Sequence, residues 1–358
     1  MVFFDRGEEP GWLGVVVHHL VMDGVSWNIL LEDLDRAYRG ERLPAKTTSF
    51  RQWAEALRGY AGSDVVRAQL PYWLEQAGSG FVVPVDGRVG AVDGVVRVEL
   101  DVETTAALLT RAHRAYRTQI NDLLLAALLQ TLGGWAGTSA VTIGLESHGR
   151  EAVVEGVDLS RTVGWFTSVF PVVLAAADLG DAAVVVKSVK EGLRRSPGRG
   201  VGFGVLRYLA DGGDELVGRL CAVAEPHVGF NYLGGRAGMS GGLLVGELAA
   251  GLAGPDGQTR AHKLQVEAFR AVDGRLVFEW HYGGAWHRGE TIERVAVAYV
   301  EALRALVEHC LSPEAGGFTP SDFPLARLDQ PTLDAVAAGA RVADVYPLTS
   351  VQQGILFH

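Results

Sequence analysis

The sequence predicts an α/β protein in two lobes, with an approximate boundary near residue 93. Strand-type and helix-type segments are mixed along the chain without a regular βαβ repeat. No internal repeat of roughly 20 to 50 residues is visible, which argues against a solenoid or propeller. Hydrophobic residues make up 48% of the 358 residues, so the chain can bury a large core.

The first strand is expected over residues 13–22, where a β-branched apolar run ends at Asp23-Gly24. Apolar residues then recur at helical spacing, with Ser26 as the expected N-cap and Gly40 as the expected stop. Further helices are predicted over 49–76, 103–116, 120–132 (stopped by Gly133-Gly134), 181–195 and 290–311; strands over 95–100, 140–145, 169–174 and 228–233; a hairpin over 264–282 around Asp273-Gly274; and loops over 78–94 and 198–202.

Composition excludes several classes of protein. A formal net charge of −10 argues against a nucleic-acid binder, which would need a basic face. No run approaches the roughly 18 apolar residues that span a bilayer, and the N-terminus lacks a signal-peptide pattern. The two cysteines, Cys221 and Cys310, offer no disulfide framework or zinc spacing. The sequence therefore predicts a soluble cytoplasmic protein without nucleic-acid or membrane partners.

The sharpest motif is His18-His19 followed by Asp23-Gly24. On a strand, one ring would point inward and the other outward, because side chains alternate. An Asp in the turn can hold a structural ion pair, and Gly24 would allow a sharp reversal. A histidine suits proton transfer near neutral pH. A pair of core or surface histidines is the structural alternative.

This H-H-x-x-x-D-G pattern resembles that of the condensation-domain superfamily, which includes epimerization domains and is similar in fold to chloramphenicol acetyltransferase. Four later segments resemble epimerization motifs in family order: Tyr116-Arg117-Thr118-Gln119-Ile120-Asn121-Asp122, Leu145-Glu146-Ser147-His148-Gly149-Arg150-Glu151, Arg161-Thr162-Val163-Gly164-Trp165-Phe166-Thr167-Ser168 and Phe230-Asn231-Tyr232-Leu233-Gly234. Pro197 to Gly204 also fits, and Ser147 stands where Gly is usual.

The resemblance implies two chloramphenicol-acetyltransferase-like lobes in a V shape. Because seventeen residues precede His18, where family members carry a long stretch, the N-lobe is expected to be incomplete. Residues 1–92 would be a partial N-lobe, 93–320 the C-lobe and 321–342 a linker. Residues 343–358 resemble the first motif of a following condensation domain, Y-P-L-T-x-x-Q-x-G-x-L-F-H.

The resemblance also implies the chemistry, which is inversion of the Cα of an aminoacyl or peptidyl thioester. His19 and Glu146 would flank the carbon as the two acid–base groups, with His18 and Asp23 structural. A Glu serves in this role if burial raises its pKa. The enolate oxygen needs a donor, for which Asn231, Tyr232 and a backbone amide near Asp23-Gly24 are candidates.

Beside Glu146, His148 and Arg150 would either orient its carboxyl group or belong to a structural network. His227, His262, His281 and His287 have no ligand spacing, so no metal is expected. No cofactor is expected on the domain itself. The substrate would hang from the 4'-phosphopantetheine of an upstream peptidyl carrier protein, with a condensation domain downstream. The alternatives are a condensation domain, which forms peptide bonds, and a non-catalytic truncated remnant.

Overall fold

The computed structural model describes residues 1–78, 80–235, 261–338 and 342–356. Its strands are β1 (Val2–Arg6), β2 (Glu9–Gly14), β3 (Gly94–Leu100), β4 (Ala140–Ser147), β5 (Ser168–Ala175), β6 (Val228–Gly235), β7 (Leu264–Arg270) and β8 (Leu276–Tyr282). Its α-helices are α1 (Gly24–Tyr38), α2 (Phe50–Ala61), α3 (Asp64–Arg67), α4 (Leu70–Ala77), α5 (Val102–Thr110), α6 (His113–Tyr116), α7 (Ile120–Ala136), α8 (Ala182–Arg194), α9 (Val201–Tyr208), α10 (Glu215–Cys221), α11 (Gly289–Leu311), α12 (Gln330–Ala337) and α13 (Ser350–Leu356). Short 3₁₀ turns cover His19–Val21, Pro197–Gly200 and Pro320–Asp322.

Strands β3 to β8 form one mixed sheet in the order β3-β8-β7-β6-β4-β5. Strand β6 runs parallel to both β4 and β7, and the other neighbours are antiparallel. Helices α7 and α11 pack together and against this sheet. The predicted α/β class is therefore confirmed, as is the hairpin around Asp273-Gly274.

The two faces of the sheet differ in chemistry because side chains alternate along each strand. On β4, Val141, Ile143 and Leu145 are buried in the core. Large apolar side chains buried in this way contribute roughly 1.5–3 kcal/mol each. The opposite face, called here the polar sheet face, carries Glu146, Asn231, Gln265, Glu267, Glu279 and His281 at the alternate positions.

The strand predicted over residues 13–22 is wrong. Strand β2 ends at Gly14, and its partner among the described residues is β1, in a two-stranded hairpin. Trp12 and Leu13 are about half exposed, so the run is not a core strand. The His18 side chain accepts a hydrogen bond from the Leu20 backbone N–H, which favours a turn over a ladder.

The helix predicted from Ser26 is confirmed as α1, but its N-cap is Asp23, whose side chain accepts from the Ser26 N–H at 2.8 Å. Residues 49–76 are three helices, because Ser63 caps a new helix after the first ends and Pro71 opens another. Gly133 does not stop α7, which continues to Ala136 and ends at the left-handed Gly137.

Two other predicted segments differ from the structure, and six more shift only at their ends. The helix predicted over 103–116 is interrupted at Arg111-Ala112, between α5 and α6. The loop predicted over 198–202 is a 3₁₀ turn followed by the start of α9. The strands predicted over 95–100, 140–145, 169–174 and 228–233 and the helices over 181–195 and 290–311 are confirmed, with small changes at their ends.

The predicted division into domains stays a prediction. Val66, Leu70 and Trp73 precede the expected boundary yet belong to the same core as the sheet. Within the predicted linker, Phe323 is buried and Asp322 pairs with the buried Lys190 at 2.7 Å. Residues 236–260 of the predicted C-lobe, 339–341 of the linker and 357–358 of the terminal motif lie outside the described residues. No helix in the described part of the chain is long and apolar enough to cross a membrane.

Candidate active site

The histidine pair lies in a turn just before α1. His18 caps the 3₁₀ turn, with its Nδ1 accepting from the Leu20 N–H at 3.1 Å. His18 and His19 are both exposed, so the predicted inward and outward alternation does not occur. The His19 ring lies 5.4 Å from the Trp165 ring, centroid to centroid. The first histidine therefore shapes the turn, and the second presents its imidazole to solvent beside an indole.

The side chain of Asp23 holds this turn in place through several hydrogen bonds. Its carboxylate is 3% exposed and accepts from the Ser26 N–H and hydroxyl, the Phe166 N–H and the Arg150 guanidinium, the last at 2.9 Å. Arg150 also donates to the carbonyls of Leu159 and Thr162. A buried ion pair is tolerated when its remaining groups are hydrogen-bonded, as most are here.

The segment that follows Arg161 is held against the histidine turn. The Asp23 N–H donates to the Gly164 carbonyl at 3.0 Å, and the Ser26 hydroxyl bonds to the same residue. Phe166 is buried under the Arg150 guanidinium, which lies 4.0 Å from its ring centroid. Its neighbour Trp165 is 42% exposed, so it lies outside the core, although an indole in such a motif is more often a core residue.

Glu146 sits near the end of β4, paired with Val169 of β5. Asn231 on β6 donates its side-chain N–H to Glu146 Oε2 at 2.7 Å, and Gln265 on β7 donates to Oε1 at 3.4 Å. Burial raises the pKa of Glu146 to about 7, and the carboxylate of Glu267 acts in the same direction, against lowering effects from His19 and the Gln265 hydrogen bond. His19 is therefore one of the groups that influence the pKa of the Glu146 carboxyl group.

Gln265 and Glu267 both act on the Glu146 carboxyl group, and the sequence prediction did not include them. Both alternate with buried residues on β7, so their face could be inferred from the hairpin pattern. Their proximity to Glu146 could not be inferred, because β4, β6 and β7 are neighbours through crossovers and not in chain order.

Tyr232 and Asn231 lie on opposite faces of β6. Tyr232 pairs in register with the buried Ala268 and packs against the core, whereas Asn231 lies on the polar sheet face. Burial raises the pKa of the Tyr232 hydroxyl. The sequence grouped the two as donors to one oxygen, but strand alternation separates them.

Arg150 and His148 do not bond to Glu146 in the described structure. Arg150 is committed to Asp23, and His148 Nε2 lies 3.3 Å from a Glu151 carboxylate oxygen. The His148 Nδ1 accepts from the Arg150 backbone N–H. Of the two alternatives left open by the sequence, the geometry supports a structural network at the end of β4.

The backbone needs a glycine at position 149, and not at positions 24 or 147 to which the sequence pointed. Gly24 begins α1 without a positive φ, and a Cβ there would meet open space. Gly149 has φ +65°, and a Cβ there would lie 1.6 Å from the Phe166 carbonyl oxygen. Ser147 continues the regular β4 pairing, so a side chain at that position needs no unusual backbone. Of these three positions, only 149 sterically requires glycine.

One group of potential metal ligands lies on the polar sheet face, on the neighbouring strands β7 and β8. Glu267, Glu279 and His281 bring one ligand-type atom each within 4.8 Å of one another. The His281 Nε2 lies 3.9 Å from Glu267 and 3.7 Å from Glu279. The spacing of the histidines in the sequence does not indicate this group, because two of its three members are carboxylates and one of these lies on the neighbouring strand.

Comparison with known proteins places this arrangement in a family. The family model described as "Condensation domain" matches residues 1–328. The chain is 44% identical to one polypeptide of the linear gramicidin synthase of Brevibacillus parabrevis over 100% of its own length, and 34% identical to gramicidin S synthase 1 of Brevibacillus brevis over 90%. It spans 5% and 31% of these two relatives, respectively.

Solved structures agree with the sequence relatives. The epimerization domain from the third module of tyrocidine synthetase B matches with a TM-score of 0.70 and 35% identity, over 82% of this chain and 68% of that one. The condensation domain of the Monacolin K polyketide synthase shares the fold, with a TM-score of 0.58 at 17% identity, over 81% of this chain and 68% of that one. The chain therefore belongs to the condensation-domain family of the non-ribosomal peptide synthetases.

Proposed function

We propose that this chain inverts the Cα of an aminoacyl or peptidyl thioester from L to D, while the substrate is held on the 4'-phosphopantetheine of a carrier protein. The single observation that carries the proposal is the environment of the Glu146 carboxyl group. Its partly buried carboxyl group is held by two carboxamides, its pKa is raised to about 7, and it is electrostatically coupled to His19. Such a group can both give and take a proton near neutral pH.

Inversion needs a base on one face of Cα and an acid on the other. One of His19 and Glu146 takes the α-proton, and the electron pair moves into the thioester carbonyl to give an enolate. The other group then returns a proton to the opposite face of the carbon. Atoms and charge balance without a redox partner, and exchange with water restores the two groups to their starting states.

The enolate oxygen needs a hydrogen-bond donor. Asn231 is committed to Glu146, and Tyr232 lies on the opposite face of the sheet. The remaining candidate from the sequence is a backbone amide near Asp23-Gly24. The first N–H groups of α1, at Gly24 and Val25, lie at this position. The first N–H groups of a helix have no intrahelical partners, and they carry the positive end of its dipole. We assign them this role within the proposal.

Similarity supports epimerization at the finer level, because a tyrocidine synthetase epimerization domain is 35% identical to this chain. An upstream peptidyl carrier protein and a downstream condensation domain would be its partners. Condensation is the second candidate, favoured by the description of the matching family model.

The test is α-proton exchange with the full chain. A carrier protein loaded with L-aminoacyl phosphopantetheine is incubated with the chain in D₂O, and the released amino acid is analysed by mass and chirality. We expect deuterium at Cα and some D product, lowered about 10²–10⁴-fold in His19→Ala and in Glu146→Gln. His148→Ala and Glu279→Gln are matched controls of the same residue types and should retain exchange.

The other outcomes separate the candidates. Peptide-bond formation with a second loaded carrier, without deuterium at Cα, would replace epimerization by condensation. If the chain unfolds cooperatively on heating, and is therefore folded, but catalyses neither reaction, a non-catalytic role would remain. Full exchange in Glu146→Gln would remove Glu146 from the mechanism.

A further inference from the structure

Strand β7 contributes two polar side chains to the surroundings of Glu146. Gln265 donates to Oε1, while Asn231 of β6 donates to Oε2. Each carboxyl oxygen therefore receives one carboxamide N–H, from two different strands. This arrangement fixes the plane of the carboxyl group and leaves one lone-pair direction on each oxygen for a proton.

Glu267 lies two residues further along β7, on the same face. It stands opposite Asn231 in the parallel register and opposite Glu279 in the antiparallel register. Its negative charge acts on Glu146 in the direction that favours the neutral acid. Two nearby carboxylates disfavour each other's ionised forms.

The charged groups around Glu267 come from several elements. On β8, His281 approaches it at 3.9 Å, and Glu279 lies within the same cluster. Arg97 of β3 lies 3.7 Å from Glu279, so that carboxylate has a cationic partner. From the turn before α1, His19 acts on Glu146 with the opposite sign to Glu267. Glu267 is therefore a negative charge on the polar sheet face that favours the acid form of Glu146.

We propose that Gln265 and Glu267 are positioning residues for the epimerization, with Gln265 directing the Glu146 carboxyl group through its hydrogen bond and Glu267 placing its carboxylate on the same sheet face, opposite Asn231. The inference rests on the proposed function. In the reaction proposed above, the protonated form of Glu146 is the acid and His19 is the base. His19 takes the α-proton, and the Glu146 O–H gives its proton to the other face of the carbon.

The two residues should shift the protonation of Glu146 in opposite directions. Glu267→Gln removes the like charge, so the pKa of Glu146 should fall by at least ~0.5 unit. Gln265→Met removes the donor while keeping the length of the side chain, so the pKa should rise. The loss of one hydrogen bond should also lower kcat about 3- to 10-fold with little change in KM.

The measurement is the titration of the Glu146 carboxyl carbon, followed by NMR in a full chain labelled with ¹³C at the Glu carboxyl groups. The Glu146 signal is assigned by its loss in Glu146→Gln. EDTA is present, so that no cation neutralises Glu267. Glu279→Gln is the matched control, because it removes an equal charge from the same face and should shift Glu146 clearly less.

This readout is independent of catalysis, so a failure of the inference can be distinguished from a failure of the proposed function. Opposite shifts in the two variants, with matching displacement of the pH profile of α-proton exchange, support the inference. Equal shifts in Glu267→Gln and Glu279→Gln, or none in Glu267→Gln, would overturn it. Titration shifts without α-proton exchange in the unmodified chain would refute the epimerization and, with it, the role given to these residues.

Discussion

Asp23 and Glu146 are two enclosed carboxyl groups with contrasting surroundings. Asp23 is 3% exposed and bonds to a guanidinium, two backbone N–H groups and a hydroxyl. Glu146 is partly exposed and has two neutral carboxamide donors, with a carboxylate nearby. Asp23 is paired with a cation, whereas Glu146 has no such partner in the part of the chain that the structure describes.

This difference in partners suits the two carboxyl groups to different roles. The ion pair between Asp23 and Arg150 joins the histidine turn to the end of β4, so its value lies in holding two segments together. No cation among the described residues bonds to the partly buried Glu146, and its pKa rises into the range where proton transfer is useful. The partners of a carboxyl group therefore decide whether it holds two segments together or has a pKa suited to proton transfer.

Breaking the ion pair should give the largest change in stability. Arg150→Met leaves the Asp23 carboxylate buried without its cation, and we expect the free energy of unfolding to fall by about 3–5 kcal/mol. Urea unfolding followed by tryptophan fluorescence measures it. In a double-mutant cycle, Arg150→Met should cost much less in an Asp23→Asn background. A loss below about 1 kcal/mol in the single variant would show that the pair is not a structural anchor.

Removing the Glu146 carboxyl group should change stability in the opposite direction, by an amount that depends on pH. Between its ordinary pKa of 4.5 and the raised value of about 7, the folded chain binds the Glu146 proton more tightly than the unfolded chain does. This contribution to stability is therefore present below pH 4.5 and is lost as pH rises through 7.

Glu146→Gln should therefore be more stable than the unmodified chain at about pH 8, by up to about 3 kcal/mol, with the advantage shrinking toward about pH 4. Urea unfolding at a series of pH values measures this difference. Glu279→Gln controls for the loss of one negative charge. An advantage that does not vary with pH would contradict the raised pKa.

The glycine between the two carboxyl environments gives the smallest expected effect. Gly149→Ala forces a left-handed backbone and a Cβ against the Phe166 carbonyl, and should cost about 1–3 kcal/mol. Gly24→Ala is the control, because it adds a Cβ in open space within a helix and should leave stability unchanged or raise it. Thermal unfolding of both variants measures these changes in stability. Similar losses of stability in the two variants would argue against a special role for Gly149.

Part of this site follows from the sequence and part does not. The motifs pointed to His19, Glu146 and Asn231, and the structure brings Glu146 and Asn231 into contact. They also left Arg150 open as a partner of Glu146, but its guanidinium pairs with Asp23, far away in sequence. Proximity in sequence says little about which side-chain groups meet across a turn.

The sequence by itself determined the alternation of strands and helices, the α/β class and the family motifs. Those features depend on local periodicity and on residue type, which need no knowledge of distant contacts. The tertiary structure alone decided that Gln265 and Glu267 join Glu146, that Tyr232 faces the core, and that the His18-His19 segment is a turn. The physical reason is that strand order and burial set these relations, and both arise only when residues far apart in sequence pair and pack.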